Sequence, residues 1–233
     1  MSSSIQRKRI RKSPADRRVE IVDAAAAVAL TEGLECITLR RIGEQLDVRP
    51  GLISHYFPAA EDLVAEAFGT AASVELDALL PADRPDGTPT QHLARFFAHA
   101  MGEAYDDISR LWINARHLSR YRPLLRDRVG EQEAAWRGRL EGLVREGVER
   151  GEFRTDDPYV TSIQILVVLD GLGAHANTDT DNRPPAVTRM AVTTAERELG
   201  LPSGTLIRPG DEPGASPAGA PRSPGADDRP AAE

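Results

Sequence analysis

Residues 38 to 57, TLRRIGEQLDVRPGLISHYF, constrain this chain more than any other stretch. Leu39, Ile42, Gly43 and Leu46 keep the three- and four-residue spacing of one buried helical stripe. Asp47 and Val48 interrupt it. Pro50 then suits the first turn of a new helix, where its missing N–H would lack an intrahelical partner anyway. Ile53 and Phe57 lie four apart and give that second helix an inward face. Pro50, Gly51, Ser54 and His55 are left facing outward. Two short helices meeting at a tight turn, the second small and polar on its outer face, read as a helix-turn-helix. Such a second helix fits the DNA major groove, which is about 12 Å wide.

Charge supports this reading through its distribution. The 233 residues carry a formal charge of -7, which argues against a general basic coat for nucleic acid. Residues 1–60, however, hold 10 Lys and Arg against 7 Asp and Glu, while the remaining 173 hold 19 against 29. A positive end on an acidic body suits a DNA-binding head carried by a separate body. The one cysteine, Cys36, excludes an intrachain disulfide framework, and its place between Leu34 and Ile37 predicts a small core residue. No apolar run reaches the roughly 18 residues of a membrane span. The basic N-terminus has no adjoining apolar core of a signal peptide. The expectation is a cytoplasmic protein with no membrane partner.

The rest of the chain predicts helices only. Residues 1–14 form a basic arm containing Arg7, Lys8, Arg9, Arg11 and Lys12. It reads either as a disordered solubilising tail or as a segment touching phosphates or the minor groove. A first helix over 15–32 buries Val22, Ala25, Ala26, Ala29 and Leu30 and stops at Gly33. Thr38 is placed to cap the next helix. A fourth helix over 59–80 carries Leu63, Val64, Ala67, Phe68, Ala71, Val74 and Leu79. After a loop at 81–89, helical patterns cover 90–105, 106–119, 123–150, a segment opened by Asp157-Pro158, and one opened by Pro184-Pro185 that runs to 199. The stretch 162–176 is apolar nearly all round but short for a membrane, which predicts burial by protein. Residues 201–233 contain 7 prolines and 5 glycines among 33 residues, which predicts disorder. The fold class is therefore all-α: a basic arm (1–14), a helix-turn-helix domain (15–60), a helical ligand-binding and dimerisation domain (61–200) and a tail (201–233).

The segments AAAAVALTEGLECITLRRIG and VRPGLISHYF resemble the N-terminal DNA-binding domain of TetR-type repressors, and GLISHYF is most similar to the choline-responsive betaine-pathway repressors. The similarity covers residues 17 to 68 closely and the remainder only in helical layout. It implies a homodimer that binds a palindromic double-stranded DNA operator and releases it when a small-molecule effector enters the body. Carried over residue by residue, it implies DNA contacts from Thr38, Arg40, Arg49, Pro50, Gly51, Ser54, His55 and Tyr56. For Thr38 capping and backbone contact are compatible, and for Tyr56 packing against the first helix is the competing role. Three positions depart from the family pattern: Asp47 where glycine is usual, Arg49 where a Ser or Thr cap is usual, and Ala60 where a phosphate-binding lysine is frequent. In the family the last two long helices build a four-helix dimer interface, which points to Ile165, Leu169, Leu172, Gly173, Val187 and Met190.

Phe96, Phe97, Met101, Tyr105, Trp112 and Trp136 are candidates for an apolar effector pocket. No glycine-rich phosphate loop, HExxH or GxSxG marks an enzyme, so neither catalytic residues nor a cofactor is expected. His92 and His99, seven apart, make only a weak metal signal, and no metal site is expected. The alternative reading is a helical interaction or metal-sensing protein without an enzymatic role.

Overall fold

The computed structural model describes residues 12–84, 86–101, 105–177 and 184–207, with Tyr105 and Asp106 defined by their backbone alone. The arm residues Arg7 to Arg11 and the tail from residue 208 lie outside these segments. Every extended element among the described residues is helical. Helix α1 (Pro14–Glu32) leads through a short 3-10 turn (Leu34–Cys36) into α2 (Leu39–Gln45) and α3 (Pro50–Tyr56). The body follows as α4 (Ala60–Leu79), α5 (Pro89–Ala100), α6 (Tyr105–Ser119), α7 (Pro123–Glu149), α8 (Pro158–Ala176), α9 (Pro185–Thr188) and α10 (Met190–Glu198).

The helix starts are written in the sequence. Ser13 and Asp16 form a reciprocal capping box at α1, as do Thr88 and Gln91 at α5. The Asp157 carboxylate accepts from the backbone N–H groups of Tyr159 and Val160 at α8. Ser13 and Pro14, assigned to the arm by composition, therefore belong to α1. Packing then joins head and body. Helix α4 lies against α1 on one side and α7 on the other, and α6 touches α1, the 3-10 turn, α7 and α8. Ile21, Ile42, Ile53, Phe57, Leu63 and Phe68 of the head end belong to the same buried cluster as Leu93, Leu111, Leu140 and Ile165 of the body.

Several expectations change. Cys36 is exposed, because the 3-10 turn points it away from the core while Leu34 and Ile37 turn inward. Val74 is also exposed. The last helix breaks at Arg189, which separates α9 from α10. Phe153, just past α7, packs where a side chain on Gly147 would run into its ring. The tail does not begin at 201. Leu206 is 2% exposed, Leu201 and Ile207 rest on the core, and the Glu196 carboxylate accepts from the N–H groups of Gly204 and Leu206 at 3.1 and 2.9 Å. Helix α8 starts at Pro158, as Asp157-Pro158 predicts, but at 19 residues it is long and apolar enough to cross a membrane by length and composition alone, where no such run was expected. Its Asp170, however, is ion-paired with Arg116 of α6.

Candidate nucleic-acid interface and effector cavity

The head is built so that α3 keeps one face for the core. Ile53 and Phe57 are fully buried, and the Arg18 guanidinium lies 4.7 Å from the centre of the Phe57 ring. The turn before α3 is tight. A Cβ on Gly43 would stand 3.0 Å from the Val48 carbonyl oxygen, so a larger residue fits only if the turn gives by a few tenths of an ångström. Asp47 has φ of 52°, the left-handed geometry that favours glycine and that aspartate accepts at some cost. The Val48 N–H donates to the Gly43 carbonyl at 2.9 Å and closes the turn.

The opposite face of α3 is open. Arg49, Pro50, Gly51 and His55 are exposed, and Ser54 and Tyr56 are half-buried. A Cβ on Gly51 would meet nothing within 4 Å. Ser54 Oγ turns back onto the Pro50 carbonyl at 3.2 Å, and His55 and Tyr56 meet edge to face with ring centres 5.2 Å apart. Lys12, Arg17, Arg40, Arg49, Pro50, His55 and Tyr56 line one broad concave surface together with Glu44 and Asp47. Thr38 caps α2, its hydroxyl accepting from the Arg41 N–H at 3.0 Å. Arg49 makes no capping bond from its side chain, as its departure from Ser or Thr predicts. Arg40 pairs with Glu44 at 2.8 Å across one helical turn and remains 83% exposed. An exposed pair of this kind contributes little to stability and gives way to a phosphate at small cost.

The second site is a cavity of about 220 Å³ in the body. Of the six aromatic and Met candidates, Phe96, Trp112 and Trp136 line it. Phe97 does not, being fully buried in the core, and Met101 is exposed at the end of α5. The Tyr105 side chain lies outside the described residues. The charged lining was not anticipated: Glu75, Arg116, Glu133, Arg137 and Asp170 join Ile163, Leu166, Val167 and Leu169. Their only sequence signal is a charge interrupting an apolar run, as Glu75 does beside Val74 and Leu76 and Asp170 does after Leu169.

Arg116 bridges Glu133 at 3.0 Å and Asp170 at 2.8 Å. Burial works against its charge, but the two carboxylates more than offset this and hold its pKa above the ordinary value. Glu75 Oε2 accepts from Trp112 Nε1 at 2.8 Å. Burial pushes the Glu75 carboxyl up to about 7; Asp170 adds to the rise, while the Trp112 hydrogen bond and Arg116 oppose it. Two residues along α6 from Trp112, Asn114 faces the head. Its Oδ1 accepts from the Leu34 N–H at 3.0 Å, and its Nδ2 donates to Glu35 at 2.9 Å. His99 Nδ1 meets the Arg95 carbonyl at 2.7 Å. Among the described residues no group of three or more His, Cys, Asp or Glu side chains is placed to hold a metal.

A three-helix head with an open, basic reading face, joined to a helical body with an aromatic cavity, defines a helix-turn-helix regulator. The two halves match two family descriptions: "Bacterial regulatory proteins, tetR family" over residues 21–67 and "BetI-type transcriptional repressor, C-terminal" over residues 89–199. The chain belongs to the TetR family of transcriptional regulators. Among curated proteins it is similar to the HTH-type transcriptional repressor KstR of Mycolicibacterium smegmatis, 35% identical over 79 residues, which is 34% of this chain and 38% of that one. The matched segment thus spans well under half the length of that relative. Among solved structures it resembles a TetR transcription regulator from Haloarcula marismortui (19% identity, 80% of this chain and 97% of the other, TM-score 0.66). It also resembles FadR of Bacillus subtilis, solved in complex with stearoyl-CoA (19% identity, 78% and 97%, TM-score 0.58). At these identities the structural likeness establishes the fold.

Proposed function

We propose that the protein is a dimeric, ligand-released repressor that binds a palindromic operator through α3 and carries out no catalysis. The observation that carries this is the division of α3: Ile53 and Phe57 are fixed in the core, while Arg49, Pro50, Gly51 and His55 stand free beside Arg40, Arg17 and Lys12. Gly51 supports the reading most directly, since nothing inside the chain needs its missing side chain, and a close-approaching phosphate or base edge would. Thr38, Arg40 and Tyr56 are assigned to the DNA backbone, and Ser54 and His55 to base edges.

Dimerisation is assigned to α8, with a corrected set of residues. Ile165, Leu169 and Gly173 are buried in the chain's own core and are not free to meet a second copy, while Leu172 and Val187 are half-buried. The exposed face instead runs through Val160, Gln164, Val167, Gly171 and Ala174, with exposed Met190 on α10. Alternating steps of four and three residues make the seam of a close helix pair. Val167 is 62% exposed, which is unusual for an apolar residue on the most apolar helix, and a second copy would cover it.

The effector cavity and the head share α6. Trp112 and Arg116 line the cavity, and Asn114 between them holds the 3-10 turn that follows α1. A ligand that favours one position of α6 therefore biases head placement, and only such differential affinity can lower operator affinity. Sequencing of DNA fragments selected by the purified protein tests the reading. Recovery of a two-fold symmetric site, with binding that weakens steeply as salt rises, is expected; selection of no common sequence would refute it.

A further inference from the structure

From residue 61 onward the chain carries 19 Lys and Arg against 29 Asp and Glu, yet the corner between α6 and α7 is basic. Residues 117–128 hold Arg120, Arg122, Arg126 and Arg128 with His117, against one acid, Asp127. Two of these arginines serve the fold. Arg126 Nε donates to the Ser119 carbonyl at 3.2 Å and closes the C-terminus of α6, where a cation is favoured. Arg128 pairs with Glu131 at 2.8 Å. The other two are not used in this way. Arg120 is exposed, and its side chain has no hydrogen bond or ion pair among the described residues. Arg122 faces Glu61 at 3.7 Å, beyond hydrogen-bond length, in a pair that opens at small cost. Between them Tyr121 is 73% exposed, its ring set edge to face on His117.

Helix pairing puts this corner at the end of the body next to α3. Helices α4 and α7 run parallel: Glu61 meets Arg122, Gly69 lies against Arg128, Ser73 meets Gln132, and Asp77 meets Arg139. Their N-termini therefore lie together, and α4 begins four residues after α3 ends at Tyr56. The chain from Tyr56 to Glu61, fully extended, and the two facing side chains keep the Arg122 guanidinium within about 25 Å of α3, less than the roughly 34 Å of one duplex turn. Resting on the assignment of α3 to operator DNA, we infer that the α6–α7 corner is a second contact to the same DNA. Arg120 and Arg122 pair with phosphates next to those the head holds, and the Tyr121 hydroxyl donates to one of them. The adjoining α3 selects DNA over an acidic protein as the anion. Phosphate contacts carry no base information, so the corner adds affinity and salt dependence without changing the sequence read.

Affinity of the full chain for its selected operator, measured against salt concentration, tests this. The proteins compared are wild type, Arg120→Gln, Arg120→Gln/Arg122→Gln, and a control of equal charge, Arg145→Gln/Arg150→Gln, whose two arginines are exposed at the far end of α7. The slope of log affinity against log salt should fall by about 0.9 in the single variant and about twice that in the double, one phosphate for each arginine. Near 0.1 M salt the double variant should bind about tenfold more weakly or worse, and it should select the same sequence as wild type. The control should keep the wild-type slope. An unchanged slope in the double variant, an equal fall in the control, or a different selected sequence would each overturn the proposal. Arg120 has no partner to lose, so the single variant keeps the test decisive even if changing Arg122 disturbs packing. A wild-type chain that selects no DNA refutes the repressor reading and this contact with it. One that selects an operator, with an unchanged slope in the double variant, refutes the corner alone.

Discussion

At the turn into α3, Gly43 and Gly51 look alike in the sequence and are opposite in the structure. A Cβ on Gly43 would crowd the Val48 carbonyl, whereas one on Gly51 would meet open space. Gly51→Ala should therefore leave the melting temperature unchanged or slightly higher, since alanine favours a helix, while weakening operator binding. Unchanged DNA affinity would show that no close approach occurs there. Arg40 and His55 separate in the same way: Arg40→Ala should weaken all DNA about equally, and His55→Ala should change sequence preference. Competition against random DNA distinguishes the two. Glu75 sets a prediction in pH. Its folded pKa of about 7 lies above the usual 4.5, so the fold holds the proton more tightly than the unfolded chain. The stability this brings is complete below about pH 4.5 and is lost as pH rises through 7, roughly 3 kcal/mol in all. Asp170, Arg116 and the Trp112 indole are the groups that face it. Glu75→Gln should remove that slope and raise the melting temperature at pH 8 relative to wild type, and parallel curves of stability against pH for the two proteins would contradict the assignment.

Among the elements, α8 gives the least periodic signal and the most consequential face. Its apolar residues surround it, so spacing alone could not tell the side packed against α7 and α10 from the side left open. Gly173 belongs to the first side and Gly171 to the second. Gly171→Arg is therefore the informative change, because its side chain enters open space in the single chain and blocks close approach of a second helix. A folded monomer by analytical ultracentrifugation is expected; a dimer of unchanged affinity would move the interface to another face. The segment after α10 is a second case. Removing residues 208–233 should leave the melting temperature unchanged, whereas Leu206→Ala should cost ~2–3 kcal/mol, the low end for emptying a buried leucine site. Equal melting temperatures for Leu206→Ala and wild type would show that the docking is marginal.

For the whole molecule, the consequential feature is that cavity and head meet on one helix. Trp112, Asn114 and Arg116 fall within five residues of α6 yet touch the cavity wall, the 3-10 turn and the α7–α8 ion pairs respectively. Asn114→Ala should preserve both effector and operator binding but reduce the fold by which effector weakens operator binding. Undiminished release in that variant would place the coupling elsewhere, with the α4 contact to α1 as the alternative route.

Residue spacing and end chemistry by themselves determined the head, the helical class, the helix starts and the sense of α3, because each depends on neighbours three or four positions away. Thr38 as a cap, Ile53 and Phe57 inward, and His55 outward all follow from such local rules. Tertiary structure alone decided which charges share a cavity, which side of α8 is open, and that Leu206 returns to the core. Glu75, Glu133 and Asp170 lie on three different helices and meet only through packing, and no local pattern records a juxtaposition between residues so far apart in the chain.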